Sequence, residues 1–487
     1  MASPSQNSES EIVLSLISHT NVGKTALART LLRGDVGEVA DSAHVTVVPE
    51  AHDWIQKDQF VARLWDTPGF GSNLAKLTRR LREGHNPVGW ILHQMWDRIQ
   101  DKSLWCSQEA IRNVHANADV VLYLVDASQS PSTIGYVDLE MQILDWIGKP
   151  VLVFLNQVGR PDRDRILEEE KEWREQLKNH DVVMGVSTLD AFTRCWVQEH
   201  LILERAAELV SGEKKTAAVM LARELAERNL EIFRKAIRRM AELITFSLID
   251  TEPLKERSLL EKLQSLIANK EKNKEMETIQ QAMYGRLAER TAAAINDLIS
   301  LHGIDGETAE KLVRASKDDF DAPRDIEESV AAAIGGAVSG LVTGLAADLI
   351  AGGMTFGGGA VTGMLLGGAT TYALAKGYNL TQTGNNRVRW TEAQFLSQLK
   401  FVAMLYLAVA HFGRGRGVWR DPENNPSLWE EVVERKIQEK KSKWSNLWKK
   451  GGSSANSEKV KKAVDVELGR LLSGVLVELY EEAADIF

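Results

Sequence analysis

The chain contains 487 residues, 44% of them hydrophobic, which is enough for two or three domains with packed cores. Its formal net charge of −9 argues against a protein that coats nucleic acid, because such proteins neutralise phosphates with strongly basic surfaces. Two cysteines, Cys106 and Cys195, are too few and too far apart for a disulfide framework or a zinc site. The polar start of the chain lacks a secretory signal, so we expect a cytoplasmic protein.

The first 203 residues have the pattern of a sheet covered by helices. Residues 1–10 are polar and are predicted to be disordered, and an α/β domain is expected over residues 11–203. Short apolar runs predict strands at residues 12–17, 60–65, 120–125, 151–155 and 182–186. Helical stretches lie between them, at residues 25–32, 136–146 and 163–179. Apolar strands that alternate with helices indicate a mostly parallel sheet with helices on both faces.

A short segment after the first predicted strand matches the phosphate-binding P-loop pattern, except that Ser18 replaces its first glycine. In such a loop, main-chain N–H groups and the N-terminus of the following helix bind the phosphates. Lys24 is predicted to bridge the β- and γ-phosphates as a catalytic residue, and Thr25 to bind Mg²⁺. The predicted nucleotide-binding residues of this segment are His19, Thr20, Asn21, Val22, Gly23, Lys24 and Thr25.

A second motif, Asp66-Thr67-Pro68-Gly69, ends a later predicted strand. Asp66 is predicted to hold Mg²⁺ through water, and the Gly69 amide to contact the γ-phosphate. Thr46 lies between the two motifs in a polar loop that suits a first switch, and it is predicted to be both a metal ligand and a catalytic residue. The order and spacing of these residues predict a P-loop GTPase domain that binds Mg²⁺ with GTP or GDP.

The base-binding residues are less well defined. GTPases recognise guanine with an Asn-Lys-x-Asp motif at the end of a later strand, whereas this chain has Asn156 and Gln157, with Gly159 in place of the aspartate. Ser187 and Thr188 stand where the last GTPase motif is expected. We predict that Asn156, Gln157, Ser187 and Thr188 bind nucleotide. A preference for guanine is inferred, but discrimination against adenine should be weaker than in GTPases with the full motif, because a bidentate contact is lost.

The sequence offers no obvious group to orient the hydrolytic water. Ras-type enzymes carry a glutamine immediately after the glycine of the second motif, and this chain carries Phe70. We therefore expect slow hydrolysis without an activator. Asn21 occupies the position at which GTPases of the TrmE-Era group carry an asparagine that helps to bind K⁺. It is predicted to be catalytic through such an ion, with a simple loop-capping role as the alternative.

From residue 204 onward the pattern is helical. Residues 204–320 are rich in charge and poor in glycine, which predicts a helical bundle or stalk. Residues 321–380 contain two uncharged Gly/Ala-rich runs on either side of Asp348, and they predict a hydrophobic helical hairpin long enough to cross a bilayer. We favour contact with membrane lipid through residues 329–376. A buried hairpin in a soluble protein, which the charge of Asp348 supports, is the alternative.

Residues 381–487 are predicted to form the C-terminal helices of this large all-α region, including one at residues 391–412 and one at residues 460–487. Within residues 436–450, lysines surround an apolar face formed by Trp444, Leu447 and Trp448. Such a face suits an anionic bilayer surface. The alternative is a solvated helix whose tryptophans dock on the domain.

The motifs at residues 18–25 and 66–69, together with Thr46, resemble those of the TrmE-Era-like GTPases of bacteria. More closely, the chain is similar to the bacterial GTPase family that bears a C-terminal DUF3482 domain. That similarity extends through the glycine-rich residues 335–368 and the predicted helix at residues 391–412. The resemblance implies GTP binding and a membrane-linked role, for which we expect the inner face of the bacterial inner membrane.

The leading functional hypothesis is a GTP-hydrolysing switch or mechanoenzyme that couples its nucleotide cycle to helical rearrangement at a membrane. One alternative is a weakly hydrolysing scaffold that keeps its nucleotide bound, and another is a GTPase of RNA or ribosome assembly. The sequence leaves open whether the chain binds a protein partner or forms a homo-oligomer. No nucleic acid partner is expected.

Overall fold

The computed structural model describes residues 10–33, 48–71, 102–156, 163–189, 195–254, 269–303, 380–382, 387–411, 427–451 and 457–487. These residues form two compact units. The first runs up to Leu230, and the second takes the described residues from Glu231 onward, apart from His411.

The first unit contains alternating strands and helices. Its strands are β1 (Glu11–Ser18), β2 (Glu50–Lys57), β3 (Phe60–Asp66), β4 (Val120–Asp126), β5 (Val151–Asn156) and β6 (Val183–Thr188). Its helices are α1 (Lys24–Leu32), α2 (Lys102–Asn117), α3 (Gly135–Ile147), α4 (Arg163–Leu177), α5 (Glu199–Leu209) and the first part of α6 (Gly212–Ile249). Every strand and helix named in the sequence analysis for this part of the chain is confirmed.

The six strands form one sheet in the order β2-β3-β1-β4-β5-β6. All neighbouring strands pair in parallel except β2, which pairs antiparallel with β3. Strand β2 was not predicted from the sequence, because its only buried residues are the adjacent Trp54 and Ile55 and its register with β3 shifts between Asp53 and Ile55. The alternation of side chains that would reveal a strand is therefore interrupted.

Helices cover both faces of this sheet. On one face, α1, α5 and the first part of α6 pack against a core that includes Leu14 and Leu122. On the other face, α2, α3 and α4 pack against a core that includes Tyr123 and Val153. This two-sided burial explains why β1, β4 and β5 are largely apolar at successive positions rather than at alternate ones. The predicted fold class, an α/β domain with a mostly parallel sheet, is confirmed.

The second unit is mainly helical. Its elements are the remainder of α6, β7 (Thr251–Pro253), α7 (Asn269–His302), β8 (Leu380–Gln382), β9 (Arg387–Trp390), α8 (Glu392–His411), α9 (Ser427–Glu439), α10 (Lys441–Gly451), α11 (Ser457–Leu479) and a 3-10 helix, Glu481–Asp485. The predicted helices at residues 391–412 and 460–487 correspond to α8 and α11. Apart from Leu380, the predicted hairpin at residues 321–380 lies outside the described residues.

A small antiparallel sheet within the second unit was not expected from the sequence, which predicted helices throughout. Its strand order is β7-β9-β8, and Thr251 pairs with Arg389. Strands of three or four residues are too short to show a period of two. Val388 and Trp390 nevertheless bury their side chains in a local core with Met283.

Helix α8 is the one helix of the described residues that is long and apolar enough to cross a membrane, by length and composition alone. Its most apolar window has a mean hydropathy of 1.4, and half of that window is buried. Phe395 and Tyr406 are fully buried in the second unit, where the Tyr406 ring meets Phe233 edge to face at 5.5 Å. These contacts are those of a core helix.

The apolar face within residues 436–450 is covered by the second unit itself. Trp444 and Leu447 of α10 are buried. Trp448 donates from its indole nitrogen to the Trp390 carbonyl at 3.0 Å, and the Arg389 guanidinium stacks 3.8 Å from its ring. The structure therefore favours the docked helix over the lipid-binding face, because the tryptophans already have protein partners.

Candidate nucleotide-binding site

The two phosphate motifs meet at one edge of the large sheet. Strands β1 and β3 are parallel neighbours, with Leu16 paired to Asp66, so the loops that follow them emerge side by side. The β1 loop leads directly into α1, which begins at Lys24. A strand followed by a short loop and a helix is the arrangement that a P-loop requires.

The loop after β1 adopts a conformation that presents main-chain amides at this edge. Asn21 and Gly23 have φ values of 66° and 104°, in the left-handed region that favours glycine and tolerates asparagine. A Cβ atom on Gly23 would lie 2.8 Å from Asn156 Nδ2. The N-cap residue of α1 is Gly23, which has no side chain to cap the first turn. The amides of this turn and the positive end of the helix dipole can therefore meet an anion.

The second motif lies directly against the loop. The Thr20 amide donates to the Phe70 carbonyl at 3.0 Å, and the Phe70 amide donates to the Ser18 carbonyl at 2.9 Å. A Cβ atom on Gly69 would lie 3.0 Å from Thr20 Cα, so only glycine permits this approach. The structure thus brings the predicted residues Thr20 and Gly69 together.

Two predicted metal ligands, Thr25 and Asp66, are joined in the structure. The Thr25 hydroxyl donates to Asp66 Oδ2 at 2.7 Å. The other oxygen, Oδ1, is buried and accepts no hydrogen bond from the described residues. Burial raises the pKa of the Asp66 carboxyl, and the charge of Lys24 and the Thr25 hydroxyl offset part of that rise. A hydroxyl beside a buried carboxylate with an unused oxygen fits the oxygen ligands that Mg²⁺ prefers. The third predicted ligand, Thr46, lies outside the described residues.

Lys24 is buried beside these ligands, with 7% of its surface exposed. Burial lowers the pKa of its ammonium group, while the nearby charges of Asp66 and Glu140 act in the opposite direction. A buried ammonium group needs anionic partners, and a bound triphosphate would add to the two carboxylates.

At the base end of the site, Asn156 supports the loop instead of projecting away from it. Its side chain is fully buried, and Nδ2 donates to the Val22 carbonyl at 2.6 Å. Ser187 is buried, and the Thr188 amide donates to Glu170 Oε1 at 2.8 Å. Direct base contacts by Asn156, Ser187 and Thr188 stay a prediction, and Gln157 lies outside the described residues.

Comparison with protein families accounts for both parts of the chain. Residues 185–471 match the family model described as a domain of unknown function, DUF3482, and this match covers more than half of the chain. The chain belongs to the DUF3482 family. Residues 13–157 match a second model, described as a 50S ribosome-binding GTPase. This DUF3482-family protein therefore carries a GTP-binding GTPase domain, and its placement in the TrmE-Era-like group stays a prediction.

Several solved structures resemble part of this DUF3482-family protein at low identity. Era from Aquifex aeolicus bound to GDP·AlF4⁻ is 18% identical, with a TM-score of 0.30 over 42% of this chain and 58% of that one. Era bound to MgGDPNP and a segment of 16S ribosomal RNA is 17% identical, with a TM-score of 0.28 over 37% and 51%. The elongation factor SelB from Methanococcus maripaludis with GppNHp is 15% identical, with a TM-score of 0.25 over 40% and 33%.

The DUF3482-family chain thus spans less than two thirds of the length of each of these structures. No curated protein sequence matches it.

One group of residues at the site was missed from the sequence. Glu140 of α3 is fully buried, and its carboxylate bonds to His19 in the loop and to Tyr123 in β4. The sequence signal was available, because Glu140 interrupts an apolar helical face formed by Val137, Met141 and Leu144. A lone carboxylate on such a face needs a polar partner.

Proposed function

We propose that the protein is a GTP-hydrolysing switch whose nucleotide cycle rearranges its attached helices at the cytoplasmic face of a bacterial inner membrane. The observation that carries this proposal is the junction between the two phosphate motifs. Thr25 bonds to Asp66, and Thr20 pairs with Phe70 through the main chain. The presence or loss of a γ-phosphate at this junction would alter both segments together.

Contacts within the first unit support a link from the loop to α6. Helix α1 begins in the loop, and Arg33 at its C-terminal end donates to Asn229 Oδ1 of α6 at 2.5 Å. Asn229 in turn donates to Glu199 Oε2 at 3.0 Å. Leu27 of α1 shares a buried core with Leu221 of α6. A displacement of α1 would therefore change its direct contacts with α6.

The residues of the site have distinct roles in this proposal. Thr25 and Asp66 would hold Mg²⁺, which neutralises charge on the β- and γ-phosphates when it is bound. Lys24 supplies a second positive charge, and the amides of the loop bind the phosphates. Phe70 is buried in the core beneath the loop and has no polar side-chain atom, so another group must orient the hydrolytic water.

Turnover tests the hydrolytic part of the proposal. We expect GTP hydrolysis by the wild-type protein that rises when liposomes with anionic headgroups are added, and no hydrolysis by Lys24→Ala. Lys57→Ala is a matched control, because Lys57 pairs with Glu224 at a partly exposed position. Nucleotide affinity without turnover, with or without lipid, would instead support a scaffold that keeps its nucleotide bound, the alternative that Phe70 favours.

Residues 329–376 carry the membrane part of the proposal, through two uncharged Gly/Ala-rich runs. Liposome flotation of the full chain should be lost when these residues are deleted. Substituting Lys440, Lys441 and Lys443 should leave it unchanged, since α10 uses its apolar face within the second unit. Absence of flotation in every nucleotide state would contradict a membrane role.

Potassium is proposed as an activating ion at Asn21. The residue is exposed and holds a left-handed conformation in the loop. We expect faster hydrolysis in potassium than in sodium at equal ionic strength. Asn21→Ala should remove that difference, and equal rates in the two salts for the wild-type protein would contradict the proposal.

A further inference from the structure

A buried carboxylate lies beneath the phosphate loop. Glu140 on α3 is fully buried. Its Oε1 lies 2.8 Å from His19 Nδ1, and its Oε2 accepts a hydrogen bond from the Tyr123 hydroxyl at 2.5 Å. The His19 ring also stacks on Tyr136, with ring centroids 4.0 Å apart and planes 19° from parallel. These contacts enclose the side chain of the second residue of the loop.

Packing of the core does not require this carboxylate. Val137, Met141 and Leu144, its neighbours on the same helical face, are all buried apolar residues, and an apolar side chain would suit the position. Burying a carboxylate costs several kcal/mol unless polar partners compensate. Burial raises the pKa of Glu140, while His19, Tyr123 and the charge of Lys24 act against that rise. Because burying the Glu140 carboxylate is unfavourable and the core does not need it, we expect its role to lie in its contact with the phosphate loop.

We propose that Glu140 is a positioning residue for the phosphate loop and that it acts through His19. This inference rests on the proposed function, since it assumes that the loop binds nucleotide. The main chain on either side of His19 is fixed by hydrogen bonds to Phe70, and its side chain is fixed by Glu140 and Tyr136. The amides that follow are then preorganised for the phosphates.

The expected effect falls on nucleotide binding. The loop amides meet the phosphates that GDP and GTP share. His19→Ala should therefore raise the dissociation constants of GDP and GTP by similar factors, roughly tenfold, the effect of one charge-assisted hydrogen bond. The hydrolysis rate at saturating GTP should change less than about twofold in Tyr123→Phe, since Tyr123 lies in β4 and bonds only the far side of the carboxylate. Titration with fluorescent GDP and GTP analogues and single-turnover assays measure both quantities.

Tyr123→Phe provides the matched control. It removes the other hydrogen bond to the same buried carboxylate without touching the loop. If Glu140 has only a structural role, Tyr123→Phe should weaken nucleotide binding as much as His19→Ala does. The positioning role predicts a lower melting temperature in both variants but weaker binding only in His19→Ala. His19→Gln, which keeps a donor to Glu140, should recover part of the affinity.

Glu140→Gln tests the same positioning role if His19→Ala fails to fold. It removes the charge but preserves the volume, and it should weaken GDP and GTP binding by a smaller and equal factor. Equal losses of affinity in Tyr123→Phe and His19→Ala would overturn the inference, as would unchanged affinity in His19→Ala and Glu140→Gln. A wild-type protein that binds neither nucleotide would overturn the proposed function and this inference together.

Discussion

The phosphate end and the base end of the site are specified to different degrees. At the phosphate end, Gly23 and Gly69 permit close main-chain approaches, and Thr25 is bonded to Asp66. At the base end, the Asn156 side-chain amide donates to the Val22 carbonyl, and the Thr188 main-chain amide donates to the Glu170 carboxylate. These two donors are therefore already bonded within the protein, whereas the Thr188 hydroxyl is buried without a hydrogen-bond partner among the described residues.

This difference separates two properties that GTPases usually combine. Binding of a triphosphate depends on a main-chain conformation and two or three charges, all of which this chain retains. Selection of the base depends on side chains that remain available to hydrogen-bond it. We therefore expect firm binding of the phosphates together with weaker selection of guanine than a complete base-recognition motif would give.

The largest effect is expected from removing the metal site. Asp66→Ala should lower GTP affinity about 100-fold, because losing a charged contact costs about 3 kcal/mol. Omission of Mg²⁺ should have a similar effect on the wild-type protein and little effect on the variant. Titration with and without Mg²⁺ measures both. Asp126→Ala is the control, since Asp126 ends β4, which β1 separates from β3, and its side chain accepts a hydrogen bond from the Ser128 amide. A variant that keeps its dependence on Mg²⁺ would place the ion elsewhere.

Asn156→Ala distinguishes support of the loop from contact with the base. The substitution leaves the buried Val22 carbonyl without its donor, which should cost about 1–3 kcal/mol of unfolding free energy. It should weaken GTP and ATP binding by equal factors. We expect a factor of about ten, which corresponds to the free energy of one hydrogen bond. Chemical denaturation and paired titrations measure these effects. A selective loss of GTP binding would show that Asn156 reads the base.

The preference of the wild-type protein for GTP over ATP is expected to be small. Without the bidentate carboxylate we expect a ratio of dissociation constants of roughly tenfold or less, well below the 10⁴ that a complete hydrogen-bonded site can reach. Competition titrations with GTP, ATP and inosine triphosphate measure it. A ratio near that upper value would reveal a base-reading group that the described residues do not show.

The smallest effect concerns pH and involves Glu140. Its pKa is raised in the folded state by burial, so the folded protein holds this proton more tightly than the unfolded chain does. The contribution of Glu140 to the free energy of unfolding should therefore fall as pH rises from its ordinary value of 4.5 through the raised value. Denaturation of nucleotide-free protein should show Glu140→Gln gaining stability relative to wild type across that range. A constant difference would mean that burial does not perturb Glu140.

The sequence predicted the parts of the molecule that follow from local pattern. Gly23, Lys24, Thr25 and Asp66 were identified because a short motif joined to a predicted strand leaves few alternatives. Helix α8 corresponds to the helix predicted at residues 391–412.

Contacts between distant residues could not be predicted in the same way. The pairing of Thr251 with Arg389 joins segments far apart in sequence, and the burial of Trp444 depends on the surrounding second unit. The bond from His19 to Glu140 crosses from the loop to α3, so neither residue alone indicated it. The same helical sequence pattern is expected whether Trp444 faces lipid or packs against protein. Only the tertiary structure distinguishes the two arrangements.

Titration of the nucleotide-free protein with GTP and GDP in the presence of Mg²⁺, for wild type and Lys24→Ala, tests the central claim most directly. We predict that Lys24→Ala still folds, as circular dichroism would show, and loses about 100-fold in affinity for both nucleotides, because the phosphates lose their contact with a buried ammonium group. Equal affinities for the two proteins would show that nucleotide does not bind at the loop between β1 and α1.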